Sequence, residues 1–166
     1  MNRKLLVAMG ILSSIFGMFG CKNNSNSSST KQTAIITAKQ ITIAQLDNEL
    51  ELLKAGKTEF DFIGITSYGD DCIYFVKSSD RFIIEFEAMT ETQIQYIEKL
   101  KEFANSKGFR HTMTTYGNKP LYNSVKQAPV LQIETNTNIV ETAKIGEEIQ
   151  RSIFGNNNET KYDVVP

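Results

Sequence analysis

Residues 60–89 contain the feature that most restricts how this 166-residue chain can fold. The stretch FDFIGITSYGDDCIYFVKSSDRFIIEFEAM is rich in Ile, Phe, Tyr and Val, and two turn-forming groups interrupt it at residues 68–71 and 78–80. Because strands joined by short loops pair antiparallel, the stretch predicts three consecutive antiparallel strands. In the third strand, apolar residues alternate with Glu85 and Glu87, which predicts one buried face and one face in water.

Three amphipathic helices are expected around these strands. Each has apolar residues at helical spacing, a side chain that can cap the first turn and a glycine that can end the last one. The helices are predicted to begin after Thr42, Thr90 and Asn138 and to end at Gly56, Gly108 and Gly155. Two further strands, residues 109–116 and 130–136, are predicted between the second and third helices.

The predicted element order is α-β-β-β-α-β-β-α, and the predicted fold class is α+β. We expect an antiparallel sheet of about five strands with the helices packed on one face. A single domain is expected over residues 34–155, with an irregular linker at residues 121–129. Residues 156–166 are polar apart from their end, and they are expected to form a disordered tail.

The N-terminal residues are typical of a secretory signal. Arg3 and Lys4 form a basic head, and residues 5–19 carry no charge. A helix of about 15 residues measures about 22 Å, which is shorter than the roughly 30 Å hydrocarbon core of a bilayer. Residues 1–20 are therefore expected to be a signal peptide that is removed. An uncleaved anchor helix is the alternative.

Residues 18–21, Met-Phe-Gly-Cys, resemble the lipobox of bacterial lipoproteins, in which a small residue directly precedes the cysteine. The resemblance implies that Cys21 receives a diacylglycerol, becomes the first residue after cleavage, and often carries an acyl group such as palmitate on its amine. Met18 and Phe19 depart from the commoner Leu and small residue of that motif. A plain signal followed by an incidental cysteine is the other interpretation.

A lipidated Cys21 would be followed by a flexible tether. Residues 21–33 are assigned to the lipidated cysteine and this tether, because residues 22–30 contain no apolar side chain that could pack. Lipidation implies a place on the cell membrane or outer membrane, with the domain in the periplasm or at the extracellular face. Lys22 stands where Asp would favour inner-membrane retention in the enteric sorting pattern, so the resemblance implies the outer membrane if the cell is Gram-negative.

Residues 42–155 resemble a second group of proteins in element order and in the passage VLQIETNTNIVETAKIGEEIQRSIFG. These features are similar to the fold shared by type III secretion chaperones and YbjN-like proteins. The resemblance implies a small α+β module that binds polypeptides and is not an enzyme. A lipid anchor departs from this group, because secretion chaperones act in the cytoplasm.

The charge balance argues against a nucleic-acid partner. Of the 18 basic residues, Arg3 and Lys4 lie in the predicted signal, so 16 remain against 19 acidic residues. A side-chain charge of −3 provides no strong basic field. No metal or cofactor is expected either, because zinc favours several His or Cys ligands, and the chain beyond Cys21 contains only His111 and Cys72.

The residues that could perform catalysis each have a simpler interpretation. His111 is interpreted as a histidine satisfied at the edge of the core, and no enzyme activity is predicted from it. Glu85 and Glu87 could act as an acid/base pair, but a wet strand face explains them equally well. Cys72 is interpreted as a buried strand residue, because the two aspartates before it disfavour a reactive thiolate.

Tyrosines near loop ends remain as candidate recognition residues. Tyr68, Tyr116 and Tyr122 are assigned this role, because tyrosine is a common anchor in binding sites. The alternative is a strand-end tyrosine that keeps its hydroxyl in water.

Three functional hypotheses follow from these features. The first is a lipid-anchored, non-catalytic binding module for a protein, a peptide or an envelope component. The second is an immunity or inhibitor lipoprotein that neutralises a toxin. The third is a hydrolase that uses His111 or the pair of Glu85 and Glu87.

Overall fold

A computed structural model describes residues 38–116 and 128–165 as one antiparallel sheet with three α-helices. In chain order the elements are β1 (Gln40–Thr42), α1 (Leu46–Lys54), β2 (Phe62–Thr66), β3 (Ile73–Ser78), β4 (Arg81–Glu87), α2 (Glu91–Ser106), β5 (Arg110–Tyr116), β6 (Ala128–Thr137), α3 (Ile139–Ser152) and β7 (Lys161–Val165). Within the described ranges the sheet has seven strands in the order β1-β7-β2-β3-β4-β6-β5. The predicted α+β class is confirmed.

The predicted capping residues begin the helices. The Thr90 side chain accepts a hydrogen bond from the backbone N–H of Gln93, and the Gln93 side chain accepts one from the backbone N–H of Thr90. The Asn138 side chain accepts a bond from the N–H of Glu141 at 3.0 Å. Thr42 precedes a 3₁₀ turn that leads into α1. These contacts satisfy N–H groups that have no partner inside a helix.

The core lies between the helices and one face of the sheet. Alternate residues of the strands point toward the helices and are almost completely buried, namely Ile63, Ile65, Ile73, Phe75, Phe82, Ile84, Phe86, Leu131 and Ile133. The helices contribute buried apolar residues to the same core, including Leu46, Leu50, Leu53, Leu100 and Ile149. Burial of such side chains stabilises the fold by roughly 1.5–3 kcal/mol each.

Helix α3 approaches the sheet closely at Gly146. A Cβ atom at this position would lie 2.8 Å from Cζ of Phe75 and 2.9 Å from Cδ2 of Leu46. A side chain at Gly146 would therefore push α3 away from β3 and α1. The glycine allows the helix to cover the centre of the sheet.

The predictions of five strands and of a disordered tail at residues 156–166 are wrong. β1 and β7 are additional strands, and β7 lies between β1 and β2 and pairs antiparallel with both. Tyr162 of β7 pairs with Ile41 and is only 1% exposed. The tail is ordered because pairing satisfies its backbone on both sides and burial of the Tyr162 ring favours the inserted position.

Several predicted segments lie outside the described residues. These are residues 1–37, which include the predicted signal, Cys21 and the tether, and most of the predicted linker at residues 121–129. Ala128 and Pro129, assigned to that linker, instead begin β6. None of the helices in the described ranges has both the length and the apolar content needed to span a bilayer.

Candidate functional site

The sheet has a second face that does not pack against the helices, here called the helix-free face. Successive residues of a strand point to opposite faces, so the residues between the core positions of β2, β3 and β4 lie on this face. None of them belongs to the helix-side core. They are Phe62, Gly64, Tyr74, Val76, Ile83, Glu85 and Glu87.

Three aromatic side chains form a cluster on this face, here called the aromatic patch. Phe60 stacks on Phe62 with ring centres 5.3 Å apart, and Phe62 meets Tyr74 edge to face at 5.9 Å. Phe60 is 39% exposed, and the other two rings are half-buried. At Gly64, a Cβ atom would lie 2.8 Å from the Tyr74 ring, so this glycine lets the ring lie against the β2 backbone.

Glu85 and Glu87 lie beside the aromatic patch on β4 and are half-buried, which corrects the prediction of a fully wet face. Burial raises the pKa of Glu85, while a hydrogen bond from Nε2 of Gln132 at 2.7 Å opposes this rise. Burial, together with repulsion from Glu85, raises the pKa of Glu87 to about 7. Glu87 pairs across the sheet with Val130, which is 3% exposed. Glu87 is therefore partly protonated near neutral pH.

His111 and the two glutamates do not meet in one site. His111 pairs with Ile133 and so lies on the helix side, where its Nε2 is 3.2 Å from Oδ1 of Asn105. Glu85 pairs with Gln132 and so lies on the helix-free face. The two alternatives of the hydrolase hypothesis, His111 and the glutamate pair, therefore lie on opposite sides of the sheet and cannot act together on one substrate.

Cys72 lies one residue before β3 and is only partly buried, so its prediction as a buried strand residue is corrected. Burial nevertheless raises the pKa of its thiol to about 12, and the charges of Asp71 and Glu87 act in the same direction. A hydrogen bond with Tyr74 opposes this shift without cancelling it. The thiol is therefore protonated at neutral pH and is a poor nucleophile.

Of the three tyrosines predicted as recognition residues, the structure describes Tyr68 and the strand position of Tyr116, and these two lie apart. Tyr68 lies in the β2–β3 loop, is 53% exposed and shares a hydrogen bond with Tyr96. Burial and the Tyr96 contact raise the pKa of Tyr68. Tyr116 ends β5 at the same end of the sheet. Because β4 and β6 lie between β3 and β5, about 14 Å separate the strand that follows Tyr68 from the strand that ends at Tyr116. Tyr122 and Cys21 lie outside the described residues.

A buried carboxylate fixes the loop that carries Tyr68. Asp71 is fully buried and accepts hydrogen bonds from the side chains of Thr66 at 2.7 Å, Ser67 at 2.6 Å and Asn156 at 2.7 Å. Burial alone would raise the pKa of Asp71, but the bonds from Ser67, Thr66 and the loop backbone together lower it below its ordinary value. The carboxylate is therefore ionised and structural.

The aromatic patch was not predicted as a site from the sequence. One signal was available, because Phe62 is out of phase with the core residues Ile63 and Ile65 and must therefore point away from the helices. The stacking of Phe60 on Phe62 and the approach of Tyr74 depend on the pairing of β2 with β3, which the sequence does not specify residue by residue. In the described ranges, no group of three or more His, Cys, Asp or Glu residues could hold a metal ion.

No family model, curated protein or solved structure matches this chain. The chemistry of its own residues is what indicates a function.

The first testable consequence concerns Asp71. Asp71→Asn is expected to lower the free energy of unfolding at pH 7 by roughly 2–4 kcal/mol, because charged hydrogen bonds are lost inside the fold. A carboxylate with a lowered pKa in the folded state stabilises fully above its ordinary pKa of about 4, and this contribution is lost as the pH falls through the folded value. Urea unfolding of wild type and Asp71→Asn at a series of pH values from 7 into acid should show that the difference in their free energies of unfolding becomes smaller. Asp70→Asn is the matched control. If wild type and Asp71→Asn lose the same free energy of unfolding in acid, Asp71 is not a stabilising carboxylate with a lowered pKa.

The second concerns Glu87, whose pKa is raised from an ordinary 4.5 to about 7. The folded state binds the proton of Glu87 more tightly than the unfolded state does. The free energy of unfolding therefore falls as the pH rises from 4.5 to about 7, and the full loss is reached above pH 7. Glu87→Gln is expected to raise the free energy of unfolding at pH 8 by roughly 1–3 kcal/mol and to change it little at pH 4. Exposed Glu59→Gln should change neither value. The same stability gain at both pH values would refute the explanation.

Proposed function

We propose that this chain is a lipid-anchored envelope protein whose domain is a non-catalytic binding module for a protein, a peptide or an envelope component. The helix-free face is its recognition surface. The aromatic patch is the observation that carries this proposal. Its outer ring, Phe60, is 39% exposed and stacks on a second ring rather than entering the core.

Aromatic side chains in this position suit recognition. They bury a large area for few rotatable bonds, and they are enriched among the residues that contribute most to binding. The half-buried Glu85 and Glu87 border the patch and offer hydrogen-bond acceptors to a partner. A surface with an aromatic centre and polar neighbours is typical of protein interfaces.

The positions of the chemical groups support a non-catalytic role. Acid/base catalysis needs its groups within hydrogen-bond reach of one substrate, whereas His111 lies on the opposite side of the sheet from Glu85. The raised pKa of Cys72, about 12, makes it unsuitable as a nucleophile at neutral pH.

The lipid anchor and tether complete the proposal. Each methylene of an acyl chain on Cys21 contributes about 0.8 kcal/mol to membrane binding, and two or more chains give stable anchoring. From their composition, the polar residues 22–30 are expected to give a tether with a reach of roughly 15–18 Å. A domain held at that distance can turn the helix-free face toward a partner.

Lipidation at Cys21 is tested by metabolic labelling with a clickable palmitate analogue in the native host. The wild-type protein is expected to carry the label and to sediment with membranes, and Cys21→Ser is expected to lose both properties. Cys72→Ser is the matched control and should keep both. An unmodified thiol at position 21, detected by mass spectrometry of the wild-type protein, would refute the anchor.

Recognition by the helix-free face is tested by placing a photoreactive amino acid at position 60 of the full-length protein in cells. We expect a cross-linked partner from position 60 and none from Val140, which is 58% exposed on α3. Phe62→Ser should reduce a cross-link made from position 60 at least tenfold, and unfolding curves should show that each variant is folded. Equal cross-linking from both positions would contradict the proposal. The identity of the partner separates an envelope component from a toxin, which the inhibitor hypothesis requires.

A further inference from the structure

We infer that the aromatic patch, together with the neighbouring Glu85 and Glu87, binds a basic segment of a partner polypeptide. The aliphatic stems of its arginine or lysine side chains pack on the rings, and their charged ends meet the two carboxylates. This inference rests on the proposed function and deepens it, because it names the chemistry of the partner that the helix-free face recognises.

The rings and the carboxylates lie on adjacent strands and on the same face of the sheet. Tyr74 of β3 pairs directly with Glu85 of β4, and the side chains of such a pair are neighbours on one face. Glu87 is two residues further along β4, so its side chain points the same way about 7 Å away. On the other side, the Tyr74 ring meets Phe62 of β2 at 5.9 Å. β2 and β4 are about 10 Å apart, so three or four extended residues of a partner can cross the whole surface.

Neither carboxylate has a counterion among the described residues. Glu85 and Glu87 take part in none of the ion pairs of the described ranges. Glu85 accepts a hydrogen bond from the neutral Gln132 at 2.7 Å, which positions the carboxylate without neutralising it. Arg110, a cation on the same face, pairs with Glu134 instead. When both glutamates are ionised, their negative charges therefore await a cation from outside the described fold.

Partial burial of the two glutamates favours a cationic ligand over other ligands. Burial raises the pKa of Glu85 and of Glu87, and repulsion from Glu85 adds to the rise at Glu87. The ionised forms are therefore disfavoured in the free protein. A positive charge beside the carboxylates would stabilise their ionised forms, whereas an acidic peptide or a phosphate group would be repelled.

The rings favour a basic side chain for a second reason. Phe60 is 39% exposed and stacks on Phe62, and both cation–π contacts among the described residues involve other rings, those of Tyr96 and Phe103 on α2. Arginine stacks on aromatic rings and also pairs with carboxylates, and lysine combines an apolar stem with a charged end. A basic segment can therefore use the rings and the carboxylates together, whereas an uncharged apolar segment would cover the carboxylates without neutralising them.

The test uses the full-length protein in a non-ionic detergent at pH 8, where Glu87 is mostly ionised. The probe is a fluorescent, end-capped hexa-arginine peptide, and the control peptide is hexacitrulline, which has nearly the shape of hexa-arginine without its charge. We expect saturable binding of the arginine peptide by fluorescence anisotropy and roughly tenfold weaker binding of the citrulline peptide.

Matched variants separate the local charge from the net charge of the protein. Glu85→Gln/Glu87→Gln is expected to weaken binding of the arginine peptide roughly tenfold. Glu51→Gln/Glu102→Gln removes the same number of charges from exposed positions on α1 and α2, and it should leave the affinity unchanged. Phe62→Ser should weaken binding about threefold through loss of ring contact. Unfolding curves show that each variant is folded.

Three results would overturn the inference. They are the absence of saturable binding up to about 1 mM arginine peptide, equal binding of the citrulline peptide, and equal weakening by the two double variants. Cross-linking from position 60 in cells tests the proposed function separately. A cross-linked partner that Glu85→Gln/Glu87→Gln does not weaken would leave the binding module in place and refute its preference for a basic segment.

Discussion

The apolar layer between the sheet and the helices is the interaction on which the rest of the structure depends. Phe75 lies at its centre, under Gly146 of α3 and against Leu46 of α1. Because strand residues alternate between faces, burial of one set commits the other set to the helix-free face. The position of Phe62 and Glu85 away from the helices is therefore a consequence of core packing.

A second, polar interaction joins the ends of distant elements. Asp71 binds the β2–β3 loop through Ser67 and reaches Asn156, which follows α3. Gln150 of α3 donates to the backbone carbonyl of the same aspartate at 3.0 Å. The chain then turns and enters the sheet as β7. In the described residues, no buried side-chain polar atom lacks a partner, which is what a low-dielectric interior requires.

The aromatic patch has a local physical origin. The aromatic patch arises because Gly64 leaves room for the Tyr74 ring beside Phe62. These exposed rings are the feature on which the proposed recognition role rests.

The sequence by itself determined the class of the fold and the starts of the helices, because capping pairs such as Thr90 with Gln93 and the meander of β2–β4 are local. It also placed Glu85 outside the core by its alternation with apolar residues of the same strand. Only the tertiary structure decided that residues 161–165 form β7 between β1 and β2, that Glu87 is partly buried, and that His111 lies on the opposite side of the sheet from Glu85. These outcomes depend on pairing between residues far apart in the chain, which short-range patterns do not encode.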